Sequence, residues 1–250
     1  MAITNILQVG SPKPGYYNGL LMRANPTLHE EAVRLLLNFA PAGLKAIDLG
    51  AGQGAFSSRL RDHGYDVTSV DKNVQDFKAE GVTFVSLDFD QAAKVEEFQN
   101  RSRELYDVAI GMEVIEHVEN PWEYCRFLLS AVKPGGVVLL TTPNIESAMS
   151  RIEFLFSGTF LHFNRNDYHD SGHINPLTFH ELQLISNHLG AEILALKSVC
   201  ALPWFVVSRR PSSMIKSLLA SLVRPFLGQR AAGDITCLVL RKPRREAAAA

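Results

Sequence analysis

The segment that most limits how this chain can fold is residues 46–56, Ala-Ile-Asp-Leu-Gly-Ala-Gly-Gln-Gly-Ala-Phe. A short apolar run passes into three glycines, Gly50, Gly52 and Gly54, and a helical pattern follows them directly. Strand, tight turn and helix in that order make the opening unit of a parallel sheet. Glycines at such a turn let the backbone bend sharply and approach a ligand with no Cβ in the way. Asp48 stands just before the first glycine, where it is expected to face that ligand.

The same alternation continues down the chain. Strands are expected over residues 44–49, 66–70, 82–87, 106–111 and 137–142, and helices over 55–63, 91–103 and 121–132. Pro121 suits a first helical turn. This alternation reads as βαβ units and a doubly wound parallel sheet. Before it lie an irregular Gly/Pro/Tyr-rich stretch and a helix over 25–39, together an N-terminal helical cap over 1–40. After Pro143 the rhythm changes. Residues 145–177 hold one helix-like stretch, 152–156, and then a polar, His-rich loop. Thr178 and Glu181 form a capping-box pattern at the start of a helix over 178–189. A strand over 191–199, an insertion over 203–230 and a final strand over 234–241 complete a single domain, 1–241. Residues 242–250 are expected to be a disordered tail.

Composition excludes several classes. With 46% apolar and 20% charged residues the chain is neither disordered nor collagenous. A formal net charge of −1 gives no reason to expect a nucleic-acid partner. Cys125, Cys200 and Cys237 are too few and too scattered for a disulfide framework. No secretory signal pattern or membrane-spanning run is visible, so a cytoplasmic protein is expected.

The ends of successive strands carry acidic residues. Asp71 follows Asp48 by 23 positions, and Asp88-Phe89 closes the next strand. Asp71 is placed to accept from ribose hydroxyls. Asp88 and Phe89 could meet the edge and face of an adenine. A pyrophosphate would be repelled by Asp48, which argues against a dinucleotide. An amino-acid cofactor with an ammonium and a sulfonium would be favoured by it.

Taken together, DLGAGQG (48–54), VTSVDKN, VSLDFD, YDVAIGMEVIEHVENP (106–121) and VKPGGVVLLTTPN (132–144) resemble the class I S-adenosylmethionine-dependent methyltransferases, and within them ubiquinone-pathway O-methyltransferases. The resemblance covers residues 40–145 and, through the last strands, extends to about 241. It implies a seven-stranded, mainly parallel Rossmann-like sheet whose last strand is antiparallel, with helical insertions on the acceptor side. It implies S-adenosyl-L-methionine as cofactor, held by Gly50, Ala51, Gly52 and Gly54 at its methionine part. Asp71 and Lys72 would lie at the ribose, and Asp88 and Phe89 at the adenine. Met112 and Glu113 would line the same pocket.

Methyl transfer to a hydroxyl needs alignment, exclusion of water and removal of a proton. Glu113-Val-Ile-Glu-His117 follows the fourth strand; if helical, it would put Glu113, Glu116 and His117 on one face. Downstream, Asp167, His169, Asp170 and His173 form a second polar group. Glu116, His117 and His173 are the candidate catalytic residues. ExxEH with a distal histidine is similar to the metal site of small-RNA 2′-O-methyltransferases, so Glu113, Glu116, His117 and His173 could hold Mg²⁺, Mn²⁺ or Zn²⁺. The competing readings are a metal-free base and a purely structural role. His29, His63, His162, His180 and His188 read as surface or packing residues.

The insertion places Met214, Ile215, Leu218, Leu219, Leu222, Val223, Phe226 and Leu227 at helical spacing, with Lys216 and Arg224 on the other face. Residues 201–250 carry nine basic and two acidic residues, so the near-zero total conceals a basic C-terminal part. Such a helix suits peripheral contact with a membrane's inner face, or the packing of its apolar face on the sheet or on a second subunit. The expected activity is O-methylation of a small, lipid-like or sugar-linked acceptor. The alternatives are N- or C-methylation of a small molecule and a catalytically silent S-adenosylmethionine-binding module.

Overall fold

The computed structural model describes residues 7–9, 14–89, 91–208 and 210–244. The N-terminal segment forms β1 (Leu7–Val9), β2 (Gly15–Tyr17), β3 (Leu20–Met22) and α1 (Leu28–Leu37). Then follow β4 (Lys45–Leu49), α2 (Ala55–Asp62), β5 (Asp66–Asp71), β6 (Thr83–Ser86), α3 (Ala92–Ser102), β7 (Tyr106–Met112), α4 (Pro121–Ala131) and β8 (Val132–Pro143). The second half adds α5 (Ala148–Ser157), α6 (Arg165–Ser171), α7 (Phe179–His188), β9 (Glu192–Ala201), β10 (Phe205–Val207), α8 (Pro211–Val223) and β11 (Gly233–Arg241).

Seven strands form one sheet in the order β6-β5-β4-β7-β8-β11-β9. Strands β4 to β8 pair in parallel, and β11 runs antiparallel between β8 and β9. This is the mainly parallel sheet with an antiparallel last strand that the resemblance implied. The order reverses between β4 and β7, where open α/β sheets place their ligand crevice.

Alternation along each strand feeds two cores. Ile47, Leu49 and Ala109 pack with Tyr124, Phe127 and Leu128 of α4 and Leu182 and Ile185 of α7. Ala46, Val108 and Ile110 pack on the other face with Leu28 and Leu36 of α1 and Phe56 and Leu60 of α2. Burial on both faces explains why these strands read as continuous apolar runs. Asn120 caps α4 by accepting from the Trp122 and Glu123 amides, with Pro121 in the first turn. The Thr178 hydroxyl accepts from the Glu181 amide at the start of α7.

Three expectations change. The N-terminal stretch is not irregular: β2 and β3 pair antiparallel, and β1 pairs in parallel with β10. The polar loop contains α6, closed by a capping box between Asn164 and Asp167. Residues past 241 are in part structured: Lys242 exchanges backbone hydrogen bonds with Gly135 and Gly136, and its Nζ donates to Glu104 and the Val132 carbonyl. Residues 245–250 lie outside the described residues.

Candidate active site

The glycine loop sits at the carboxyl end of β4. The Gly50 and Ala51 amides donate to the Val70 carbonyl at the end of β5, which fixes the turn. Gly50 has φ +90°, and a Cβ there would stand 2.4 Å from a Val114 methyl. The loop is therefore packed against the acidic turn after β7, and any larger residue would force the two apart. Gly52, at φ +55°, has no heavy atom within 4 Å of where a Cβ would be. Its outer side is open, so a ligand could approach the backbone there.

The carboxylates around the loop are held in place. Asp71 accepts from the Gly52 amide at 2.8 Å and from the Asn73 amide at 3.0 Å. An ionised carboxylate has roughly four acceptor positions, so further positions remain for ribose hydroxyls. Asp88 accepts from the Gln91 side chain at 3.2 Å. Phe89 stands edge-on to Tyr124 and Phe127, while Lys72 is exposed beside Asp71 and Ala51 is half-buried. Asp48 is buried behind the loop, and its Oδ2 accepts from the Ser57 hydroxyl at 2.6 Å. Burial pushes its carboxyl up to about 6, against the Ser57 hydrogen bond, with the Asp71 charge adding to the rise. A cation bound in the loop would favour the ionised form. Above the loop the Leu21 amide donates to the Gln53 side chain, and Leu20 and Met22 pack on Ala55 and Ala79. The β2–β3 hairpin thus roofs the loop, a feature the sequence reading missed.

The turn after β7 is not helical, which corrects the expected shared face. Glu113 adopts φ +52°. Its amide donates to the Thr141 hydroxyl at 3.0 Å, and that hydroxyl donates to the Glu113 carboxylate at 2.8 Å. Thr141 thus draws the Glu113 carboxylate toward β8, away from the ExxEH partners. Met112, just before it, is buried.

Glu116, His117 and His173 do come together, their ligand atoms all within 4.8 Å of one another. Glu116 is fully buried, and neither carboxylate oxygen accepts a well-formed hydrogen bond; the Thr142 hydroxyl is the side-chain donor that acts on it. Its backbone carbonyl accepts from the Ile174 and Asn175 amides, which locks the His173 segment beside it. His117 Nε2 is 3.8 Å from Glu116 Oε1, and the two imidazole rings are 4.7 Å apart. His173 Nδ1 is 2.7 Å from the His162 carbonyl oxygen. Burial holds the Glu116 carboxyl well above its ordinary value, and the Glu113 charge adds to this; burial lowers both His117 and His173. A buried carboxyl so poorly partnered is rare. One carboxylate and two imidazoles, whose neutral form burial favours, make a donor set that fits a divalent cation. Asp167, His169 and Asp170 do not join: Asp167 is occupied by its capping box, and the other two are exposed on α6.

His162 was expected at the surface or in packing. It lies instead beside the site, with Nε2 3.1 Å from Asp234 Oδ1. Burial works to lower its pKa, but the Asp234 hydrogen bond and charge, then Glu113 and Asp167, raise it overall. Because β11 is antiparallel, its first residues reach the carboxyl edge of the sheet, where the Asn144 amide donates to the Asp234 carbonyl. Asp234, an acidic residue opening the last strand, is the one signal in the sequence that could have led there.

The α8 insertion is inside out relative to the expectation of a packed apolar face. Ser217, Ala220 and Ser221 are buried, while Met214, Ile215, Leu218, Leu222 and Phe226 are exposed. Leu219, Val223 and Leu227 turn inward onto Ala148 and Ile152 of α5. Its two basic residues singled out above are engaged within the fold: Lys216 pairs with Glu153 at 2.8 Å, and buried Arg224 donates to the Leu202 and Ala232 carbonyls.

A glycine cradle at the sheet's switch point, flanked by strand-end carboxylates, defines the class I S-adenosylmethionine-dependent methyltransferases, and this chain belongs to them. Residues 23–196 match the family described as "Methyltransferase domain". Among curated relatives, "Ubiquinone biosynthesis O-methyltransferase" of Rickettsia felis is 31% identical over 50% of this chain and 53% of its own length. The protein of the same description from Rickettsia typhi is 28% identical over 72% and 74%. The chain spans about half the length of the first of these. A SAM-dependent methyltransferase structure from Archaeoglobus fulgidus superposes with a TM-score of 0.59 at 18% identity, over 88% of this chain and 95% of that one, a likeness of fold.

Proposed function

We propose that this protein transfers the methyl group of S-adenosylmethionine to a hydroxyl oxygen of a small, amphiphilic acceptor. The observation that carries the reading is the Glu116–His117–His173 cluster beside the glycine cradle, its carboxyl buried and its His117 imidazole open to solvent. The bound cofactor supplies a methyl carbon made electrophilic by its sulfonium. Gly52 lets the backbone approach its methionine part, and Asp71 and Asp88 hold its ribose and adenine. The imidazoles of His117 and His173 are kept neutral and face the acceptor side, where either can take a hydroxyl proton. Relatives named for ubiquinone-pathway O-methylation support oxygen as the acceptor atom and a lipid-like acceptor.

A second reading is favoured by the poorly partnered Glu116 carboxyl: Glu116, His117 and His173 hold a divalent ion, which would lower the pKa of an acceptor hydroxyl. Glu113 is outside that set. The outer face of α8 is the further partner surface, and we assign it to a lipid surface that delivers the acceptor. Apolar contact carries this docking, because Lys216 and Arg224 are engaged within the fold. Among the described residues no helix is long and apolar enough to cross a membrane.

The test is methyl transfer from radiolabelled S-adenosylmethionine to octyl 3,4-dihydroxybenzoate and octyl 4-aminobenzoate, with and without EDTA. Label on the dihydroxy ester is expected; label on the amine alone would replace the reading with N-methylation. Full turnover in EDTA would remove the metal.

A further inference from the structure

Between α5, α8, β10 and the start of β11 lies a cavity of about 210 Å³. Its walls are mainly apolar, with Ala148 from α5, Ala220 from α8 and Trp204 from the β9–β10 connection; Gln8, Ser217 and Ser221 add polar atoms. One end is polar, formed by His162 and Asp234. Arg224 frames the cavity and does not enter its chemistry. Its guanidinium donates to two carbonyls and stacks on Trp204 at 4.7 Å.

The polar end is built with care. His162 holds a left-handed backbone, φ +69°, a conformation that needs support from its surroundings. The Leu161 amide donates to the Ser150 hydroxyl, and the His162 carbonyl accepts from His173. Asp234 takes His162 Nε2 on one oxygen and the Asn25 amide group, at 3.3 Å, on the other. With Nε2 engaged, Nδ1 is the ring nitrogen left for a ligand. The same pair acts electrostatically on Glu113, so this end of the cavity adjoins the turn that packs on the cofactor loop.

We propose that this cavity is the acceptor's apolar subsite, and that the His162–Asp234 pair positions the acceptor's hydroxyl by hydrogen bonding. It takes a hydroxyl attached to a compact apolar group. An apolar cavity of about 150 Å³ holds benzene, so this one has room for a ring and a few methylenes. His162 is thus a positioning residue one step from the Glu116–His117–His173 cluster. The inference rests on the methyl-transfer reading for the word acceptor, but the binding site stands on geometry alone.

The test is calorimetric binding of methyl, butyl and octyl 4-hydroxybenzoate, and of butyl benzoate, to protein saturated with S-adenosylhomocysteine. Affinity should rise about fourfold for each methylene that enters the cavity and flatten once it is full. Butyl 4-hydroxybenzoate should bind at least tenfold tighter than butyl benzoate. Asp234→Asn or His162→Gln should erase that preference and leave the chain-length trend. Ala220→Phe, or Ala148→Leu if the first fails to fold, should cut butyl-ester affinity at least tenfold with S-adenosylhomocysteine binding unchanged. The outer-face variant Leu218→Ser/Leu222→Ser should bind as wild type.

Failure of the wild type to bind any ester would overturn the proposal. So would wild-type affinity in both folded cavity variants, or loss only in the outer-face variant. Methyl transfer is scored separately on the same esters. Bound but unmethylated hydroxy esters would sink the O-methylation reading and leave the site; methylation with unchanged KM in both cavity variants would do the reverse.

Discussion

The sheet divides the molecule into two regions that balance their polar groups differently. On the cofactor side, around β4 and β5, the carboxylates are tied down: Asp48 to Ser57, Asp71 to the Gly52 and Asn73 amides. On the acceptor side, from the turn after β7 onward, Glu116 lies buried with no well-formed hydrogen bond to either oxygen. There too α8 turns four large apolar residues outward. In the first region the carboxylates are satisfied as the chain folds. The other leaves a poorly partnered buried carboxyl and exposed apolar surface, the two things a folded chain avoids unless something else is to meet them.

The largest effect separating the regions should come from Gly52→Val. The side chain fits the open space but not φ +55°, and it fills the cradle. S-Adenosylhomocysteine binding by calorimetry should fall more than 100-fold, with Tm lower by only about 2–4 °C. Binding that survives would mean that the cofactor lies elsewhere.

Next comes Glu116→Gln, which keeps the shape and removes the acid. Turnover should drop at least 100-fold while Tm stays within about 2 °C of wild type. If activity persists, the cluster is structural and the contrast between the regions dissolves.

Two pH effects of opposite sign sharpen the comparison. His29 is buried edge-on to Phe56, and burial, then the Arg59 charge, drives it down to about 3. The unfolded chain binds that proton first, so His29 costs stability as pH falls from about 6.5 toward 3. His29→Leu should flatten that part of an acid-unfolding curve. Asp48, raised to about 6, behaves inversely: the folded state keeps its proton longer, so stability declines as pH rises from about 4 to 6. Asp48→Asn should stabilise the apoprotein by at most about 3 kcal/mol above pH 6 and by nothing below pH 4. The same change should weaken S-adenosylmethionine binding at least tenfold. Urea titrations at pH 4 and 7.5 read both variants, and a pH-independent Asp48→Asn effect would refute the assignment.

The smallest effect on the fold should come from Leu218→Ser/Leu222→Ser, which leaves Tm unchanged. It should abolish co-sedimentation with phosphatidylglycerol vesicles. If it instead converts a dimer to a monomer by light scattering, α8 is a subunit contact.

The cofactor region was legible because its signals are local. A strand's apolar run, a glycine that must bend and an acid at the strand end all lie within a few residues of one another. The acceptor region depends on distant pairs. His162 meets Asp234 across 72 residues, which no periodicity reveals. Glu113 left its expected face because Thr141, on the next strand, offered a hydroxyl to both its amide and its carboxylate. Helix α6 was hidden because its stability lies in a capping box among polar residues. In α8 the apolar residues cover too much of the circumference to say which side turns in. The buried Ser217–Ala220–Ser221 face settles that by size, since small side chains let α8 approach α5 closely.

The N-terminal segment ties these regions together. Its β1 strand pairs with β10 beside the acceptor cavity, Leu21 bonds the glycine loop's Gln53, and Asn25 bonds Asp234. Two ligands that both press on one segment do not bind independently. Whatever factor the cofactor gains from a bound acceptor, the acceptor must gain equally from the cofactor. The hairpin over the glycine loop leads, through Asn25 three residues past its end, to Asp234.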